Sequence, residues 1–231
     1  MCTVSWSVAA DTYEVFFNRD ENRGRQPALA PQCFTVNDVQ VLMPIDPVGQ
    51  GSWIATNAHG ISIALLNYYQ GCMPEGELIS RGQIIRQLAG LSSLAEVEHF
   101  MQDWPLVRSA PFSLLVFDPG AKLNCVPLFR WTGERLLKSA QISPLISSAV
   151  EYESVLNSRL EQFAEKDADL QQLHRSHRPC RSAYSICMHR SDAHTVSFTH
   201  ISVNHQRVAM SYQPDAPCKG RAPVVSTLPR V

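Results

Sequence analysis

Three observations predict an α+β fold of layered sheets and helices, not a doubly wound parallel sheet. Strand-like runs open the chain, two helical periods interrupt them, and strands return on either side of one more helix, without the regular βαβ alternation of a parallel sheet. Thr3 to Val8 and Tyr13 to Asn18 are rich in Val, Trp, Tyr and Phe. The intervening Ala-Ala-Asp-Thr joins them as a hairpin. A Pro- and Gly-containing loop is expected from Asn22 to about Pro31, and then a strand from Val39 to Met43. Ser52 to Thr56 and Ile61 to Asn67 form a second hairpin around Asn57-Ala58-His59-Gly60, where Gly60 is free to take positive φ. Ser80 is placed to cap a helix running to Leu88 and ended by Gly90. Ser93 with Glu96 reads as a capping box for a helix reaching Asp103, with Leu94, Val97, Phe100 and Met101 on one face. Strands follow at Phe112 to Phe117 and Val126 to Trp131. A helix over Tyr152 to Ala164 is read from Val155, Leu156, Leu160 and Phe163. Strands at Tyr184 to Met188, Thr195 to Val203 and Val208 to Tyr212 complete a domain over residues 1–213. The proline-rich segment 214–231 shows no apolar period and is expected to be irregular or mobile.

The chain has 231 residues, 45% hydrophobic and 18% charged, which at this length buries roughly 70 to 75% of its unfolded surface. Its net charge of −1, with no block of like charge, argues against a nucleic-acid partner. The longest apolar runs, such as Ile61 to Leu66, are far short of a membrane span. Met-Cys-Thr-Val-Ser-Trp does not read as a signal peptide, so a cytoplasmic location is expected. The seven cysteines are an odd number without C-x-x-C pairing, and reduced thiols are expected.

Removal of Met1 would give Cys2 a free α-amino group, with an ordinary pKa of about 7.7 to 8.0. That amine can take the thiol proton, so nucleophile and base sit on one residue. Asn18-Arg19-Asp20-Glu21 ends the first hairpin and comes back beside residue 2. A guanidinium there would favour the thiolate. Asn67 ends an apolar strand, where a carboxamide can donate to a developing oxyanion. His174, His177, Cys180, Cys187 and His189 invite a metal test, but their spacing matches no standard zinc motif. They read as a polar helix end, and no metal, haem or other cofactor is expected.

Met-Cys at the start, Asn18-Arg19-Asp20-Glu21, the Gly51-Ser52-Trp53-Ile54-Ala55 to Ala64-Leu65-Leu66-Asn67 block and Ser80-Arg81-Gly82 together resemble the NRDE family, which includes the transport and Golgi organisation 2 proteins. The likeness runs to about residue 210. It implies a four-layer αββα sandwich of the N-terminal-nucleophile hydrolase type, similar to choloylglycine hydrolases and penicillin V acylases. Cys2 would be the nucleophile, Arg19 its neighbour and Asn67 an oxyanion donor. There are departures. Those relatives carry an Asp three residues after the Arg, where this chain has Asn22. Asp20 or Glu21 would then orient the α-amine, with Asp20 preferred. Their second Asn aligns with Ser148 in Ile146-Ser147-Ser148-Ala149, and their late Arg falls near His189 and Arg190, which are candidates for the pocket wall.

The expected function is hydrolysis of a non-peptide amide bond of a small acyl amide through an acyl-enzyme. The alternative is a binding or trafficking protein for a lipid-like, acyl-CoA or haem ligand, as the eukaryotic branch of the resembled family implies. Exposed sheet edges would suit a homodimer, and the oligomeric state stays open.

Overall fold

The computed structural model describes residues 1–120, 125–165 and 168–231. In chain order its elements are β1 (Cys2–Ala9), β2 (Thr12–Asn22), β3 (Leu29–Val36), β4 (Val39–Ile45), β5 (Ile54–Asn57), β6 (Ser62–Asn67), α1 (Gly82–Leu88), α2 (Leu94–Asp103), β7 (Phe112–Phe117) and β8 (Cys125–Trp131). There follow β9 (Leu136–Ile142), β10 (Leu145–Ser147), α3 (Tyr152–Phe163), α4 (Leu170–Leu173), β11 (Ala193–Val203), β12 (Arg207–Pro214) and β13 (Val224–Pro229). The strands pair into two antiparallel sheets, one ordered β10-β1-β2-β11-β12-β13 and the other β3-β4-β5-β6-β7-β8-β9.

Side-chain alternation sorts the residues into layers. Val4, Trp6, Val15 and Phe17 of the first sheet meet Ile54, Leu66, Leu115 and Phe117 of the second in a shared core. Burying side chains of this size contributes roughly 1.5 to 3 kcal/mol each, so this apolar layer holds the two sheets together. The outer face of the second sheet packs Ile63 and Val116 against Ile84, Ile85 and Leu88 of α1 and Val97 and Met101 of α2. On the outer face of the first sheet, Ile146 packs with Val155 of α3, Met1, Ala183 and Met188. The architecture is therefore the αββα sandwich that the sequence and its family resemblance implied. Among the described residues no helix is long and apolar enough to cross a membrane.

Most elements fall where the sequence placed them, and Gly60 turns the β5–β6 hairpin at φ 81°. Five expectations are corrected. Ser80 caps nothing: α1 starts after Arg81, without a side-chain cap, where Gly82 packs on Gly51 and its carbonyl accepts from Ser52 N–H at 3.1 Å. Gly90 follows α1 because a Cβ there would lie 2.4 Å from the Val36 carbonyl oxygen, not because a left-handed cap is needed. On α3, Leu160 faces outward while Arg159 and Gln162 turn in with Val155. Tyr184 to Met188 is no strand. Two of its carbonyls accept from side chains instead, Asn18 Nδ2 bonding Ile186 O at 3.0 Å and Ser185 Oγ bonding Cys187 O at 2.8 Å. Residues 214–231, expected to be irregular, hold a 3-10 turn over Pro217–Lys219 and the edge strand β13, which pairs with β12 and buries Leu228.

Candidate functional site

The β1–β2 hairpin sets the register of the site. Cys2 lies opposite Arg19, and both line a cleft of about 520 Å³ at one end of the sandwich. Trp53, Asn67, Arg81 and Asp46 also line it. The Arg19 guanidinium stacks 4.3 Å above the Trp53 ring, which fixes the plane of its donor fork.

Strand parity sends the next residue the other way. Asp20 points behind the sheet, fully buried, with Oδ1 accepting from Thr195 Oγ1 at 2.7 Å and Oδ2 ion-paired to Arg159 Nη2 at 3.6 Å. Burial raises the Asp20 carboxyl above the usual range, outweighing the opposing charges of Arg159 and the N-terminal ammonium. Its backbone N–H donates to the Met1 carbonyl at 3.1 Å, and the Met1 amine donates to the Asp20 carbonyl at 3.4 Å. Glu21 sits elsewhere, in the cleft, with Oε2 3.4 Å from Arg19 Nη2. Of the two acids weighed from the sequence, Asp20 is thus the one beside the N-terminal segment.

Arg19 favours the thiolate as anticipated, but only weakly, because its guanidinium is committed elsewhere. Its Nη2 donates to Asp46 Oδ2 at 3.0 Å, and Asp46 also accepts from Arg25 Nη2 at 2.6 Å. Burial alone would raise the Asp46 carboxyl, but bonds from Arg25 and Val48 N–H and the charges of Arg19 and Arg25 together hold it below the usual range. The Cys2 thiol is raised, chiefly by burial and further by Asp20. The N-terminal ammonium opposes this more strongly than Arg19 does. With Met1 in place the thiol is therefore protonated at neutral pH.

Asn67 closes the cleft wall at the end of β6, its Nδ2 donating to Tyr69 Oη at 3.0 Å. The same Tyr69 hydroxyl accepts from the Met1 amine at 3.3 Å, which links the carboxamide to the N-terminus. Ser148 is not brought to the cleft. It is buried, its hydroxyl donating to the Val150 carbonyl and accepting from Val150 N–H at 3.2 Å, because it closes the turn between β10 and α3. Arg190 also misses the cleft wall: one guanidinium nitrogen lies 3.6 Å from Met1 Sδ and the other pairs with Asp192 at 2.7 Å. His189 faces a second cluster, with His177, Cys187 and Cys218. His174 and Cys180, weighed with these as ligands, go elsewhere: His174 Nε2 bonds Ser5 Oγ at 2.8 Å and Cys180 is exposed.

Sequence reasoning missed Tyr69, Asp46, Arg25 and Arg159 as parts of this neighbourhood. Arg159 alone left a signal, a cation four residues after Val155 on the buried stripe of α3. Arg81, noted only within its motif, lines the cleft with Nη1 donating to the Pro111 carbonyl at 2.9 Å. Among the described residues it has no carboxylate at ion-pair distance, and burial depresses its pKa.

Comparison with known proteins places these features in context. The family described as Transport and Golgi organisation 2 matches residues 1–210. Comparison with the curated proteins returns no match. Among solved structures, penicillin V acylase from Agrobacterium tumefaciens is similar at TM-score 0.59 and 8% identity, over 98% of this chain and 86% of its own. A mutant of conjugated bile acid hydrolase from Clostridium perfringens is similar at TM-score 0.58 and 14% identity, over 99% and 92% of the two chains. The Caenorhabditis elegans N-acylethanolamine-hydrolyzing acid amidase ortholog gives 0.55 and 11%, over 87% and 92%. At these identities the likeness establishes the N-terminal-nucleophile hydrolase fold.

Proposed function

Because the chain belongs to the Transport and Golgi organisation 2 family and has this fold, we propose that it is a cysteine amidohydrolase cleaving the C–N bond of a small acyl amide through an acyl-enzyme. The observation that carries the reading is Cys2 opposite Arg19 in the lining of the cleft that Asn67 also lines. Loss of Met1 would expose the Cys2 amine and free the contacts Met1 makes with Tyr69 and Arg190. The amine would then take the thiol proton, and Sγ would attack the acyl carbonyl. Asn67 Nδ2, already presented by Tyr69, would donate to the oxyanion, an interaction whose loss typically costs about 2.7 to 4 kcal/mol of transition-state stabilisation. The α-ammonium would pass its proton to the departing amine. Water would next attack the thioester, releasing the acid and restoring the thiol.

Arg19 would hold the Trp53 and Asp46 wall in place, being committed to both. Arg81 is the cation left to receive an anionic group on the substrate. The test is intact-mass spectrometry before and after a thiol-directed electrophile, with peptide mapping. Loss of Met1 and labelling of Cys2 ahead of the other six cysteines is the expected result, and Cys2→Ala should abolish turnover of any acyl amide found. Retained Met1, or no preference for Cys2, would sink the enzyme reading.

One observation favours a second reading, a non-catalytic carrier of a lipid-like, acyl-CoA or haem ligand. Ser148 gives its hydroxyl to Val150 and not to the cleft, so the machinery is less complete than the resemblance implied. Tight binding of such a ligand to Cys2→Ala, with no turnover by the unmodified chain, would select it.

A further inference from the structure

Three separate segments converge on the side of the first sheet away from the inter-sheet core. His177 follows α4, Cys187 and His189 precede β11, and Cys218 sits in the 3-10 turn between β12 and β13. Each offers one ligand atom, and all four atoms lie within 4.8 Å of one another. Cys187 Sγ is 3.6 Å and Cys218 Sγ 3.4 Å from His189 Nε2. A tetrahedral zinc ion with bonds of about 2.3 Å to sulfur and about 2.0 to 2.1 Å to nitrogen separates its sulfur and nitrogen ligands by about 3.6 Å. The spacing therefore matches a coordination shell. A second observation points the same way. His177 Nε2 is buried and has no hydrogen-bond partner, an expensive arrangement for an imidazole nitrogen unless something else binds it. The His177 and His189 rings stand 5.0 Å apart at 60°, so neither ring blocks the other's approach to a common centre.

We propose that His177, Cys187, His189 and Cys218 hold one zinc ion in a closed, structural site separate from the cleft. Two thiolates and two imidazoles suit a borderline-soft ion with tetrahedral preference. Binding would release the two thiol protons to solvent, leaving a neutral complex of Zn²⁺, two thiolates and two neutral imidazoles, which is compatible with burial. With four protein ligands no position is left for substrate, so the ion's work is mechanical. It clamps the irregular segment before β11 to the β12–β13 connection. Met188, between two of the ligands, exchanges bonds with Thr195, donating to its Oγ1 at 2.8 Å and accepting from its N–H at 2.9 Å. Thr195 Oγ1 in turn donates to Asp20. The clamp thus backs the carboxylate behind Cys2. The sequence obscured the site because its ligands come from three segments and only Cys187 and His189 are close neighbours in the chain.

The test uses the full chain purified under reducing conditions, incubated with zinc, desalted and analysed for metal. About one zinc per chain is expected, falling to near zero in Cys187→Ser and Cys218→Ser and unchanged in the exposed-cysteine control Cys33→Ser. Loading the unmodified chain with Co²⁺ guards against variants that fail to fold, and should give the visible bands and thiolate-to-metal charge transfer of a tetrahedral dithiolate site. Chelation should lower Tm. No retained zinc together with a cobalt spectrum lacking thiolate charge transfer would overturn the proposal. So would full zinc in Cys218→Ser, or a Cys187–Cys218 disulfide in the reduced preparation. Because the readout is metal content, it is independent of whether Cys2 is a nucleophile.

Discussion

Arg159 lies on α3 with no exposed surface, donating to Thr3 Oγ1 and to the Ala183 carbonyl while facing Asp20. Removing one member of a buried ion pair strands the other, at a typical cost of 3 to 5 kcal/mol. Arg159→Met should therefore destabilise the fold by about that amount. The loss should depend on pH in a defined sense. Asp20 titrates above its unfolded value, so between the two values the folded chain binds more protons and stability falls as pH rises. Without the opposing cation that window extends further upward. The deficit of Arg159→Met should be largest at neutral pH and shrink on mild acidification, measured by urea unfolding at both. A deficit independent of pH would mean that Arg159 contributes packing and not charge. At this scale the sequence was partly legible. Order and spacing were enough to bring Cys2, Arg19 and Asn67 to one cleft, but which face of β2 Arg19 and Asp20 each occupy follows from pairing parity, and that separated the two. Ser148 lies away from the cleft because alignment gives a position, whereas the hydroxyl's partner is set by the turn it closes.

Four strands left no usable pattern in the sequence, and they are the four sheet edges: β3 and β9 in one sheet, β10 and β13 in the other. An edge strand bonds on one side only and tolerates Pro as at Pro31 and Pro229; β3, β9 and β13 leave most side chains exposed, so the period-2 signal fades, while β10 is buried at all three positions and too short to show a period. Central strands such as β7, buried at all six positions, were unmistakable. The opposite error has the same root. Ile186, Cys187 and Met188 form an apolar run because they are buried, and burial alone does not make a strand. Glycines carry element-level information that propensity misses. A Cβ on Gly51 would lie 2.4 Å from the Gly82 carbonyl carbon and 2.6 Å from its Cα, so the two motifs containing these residues are joined backbone to backbone at the cleft. Gly51→Ala should force α1 away from the β4–β5 connection and cost about 1 to 3 kcal/mol, as overpacking does. A chemical-denaturation midpoint unchanged from the parent would show that the two segments separate freely.

At the scale of the molecule, each sheet packs on both faces, and the chain must return repeatedly to finish them. The first sheet begins at Cys2 and is completed at its far edge by Pro229, so its stability depends on residues at both ends of the sequence. Leu228 shows how much hangs on the last strand. It pairs with Val208, is 4% exposed, and joins the inter-sheet core with Trp6, Ile201 and Met210. If β13 is docked in this way, Leu228→Ala should remove both the transfer free energy of the side chain and the packing around it, costing about 2 to 5 kcal/mol in urea unfolding. Val225, on the same strand but 61% exposed, supplies the internal comparison. Val225→Ala should stay within about 0.5 kcal/mol. Equal, small effects at the two positions would mean that β13 does not complete the sandwich, and the 3-10 turn carrying Cys218 would lose the strand that anchors it on one side.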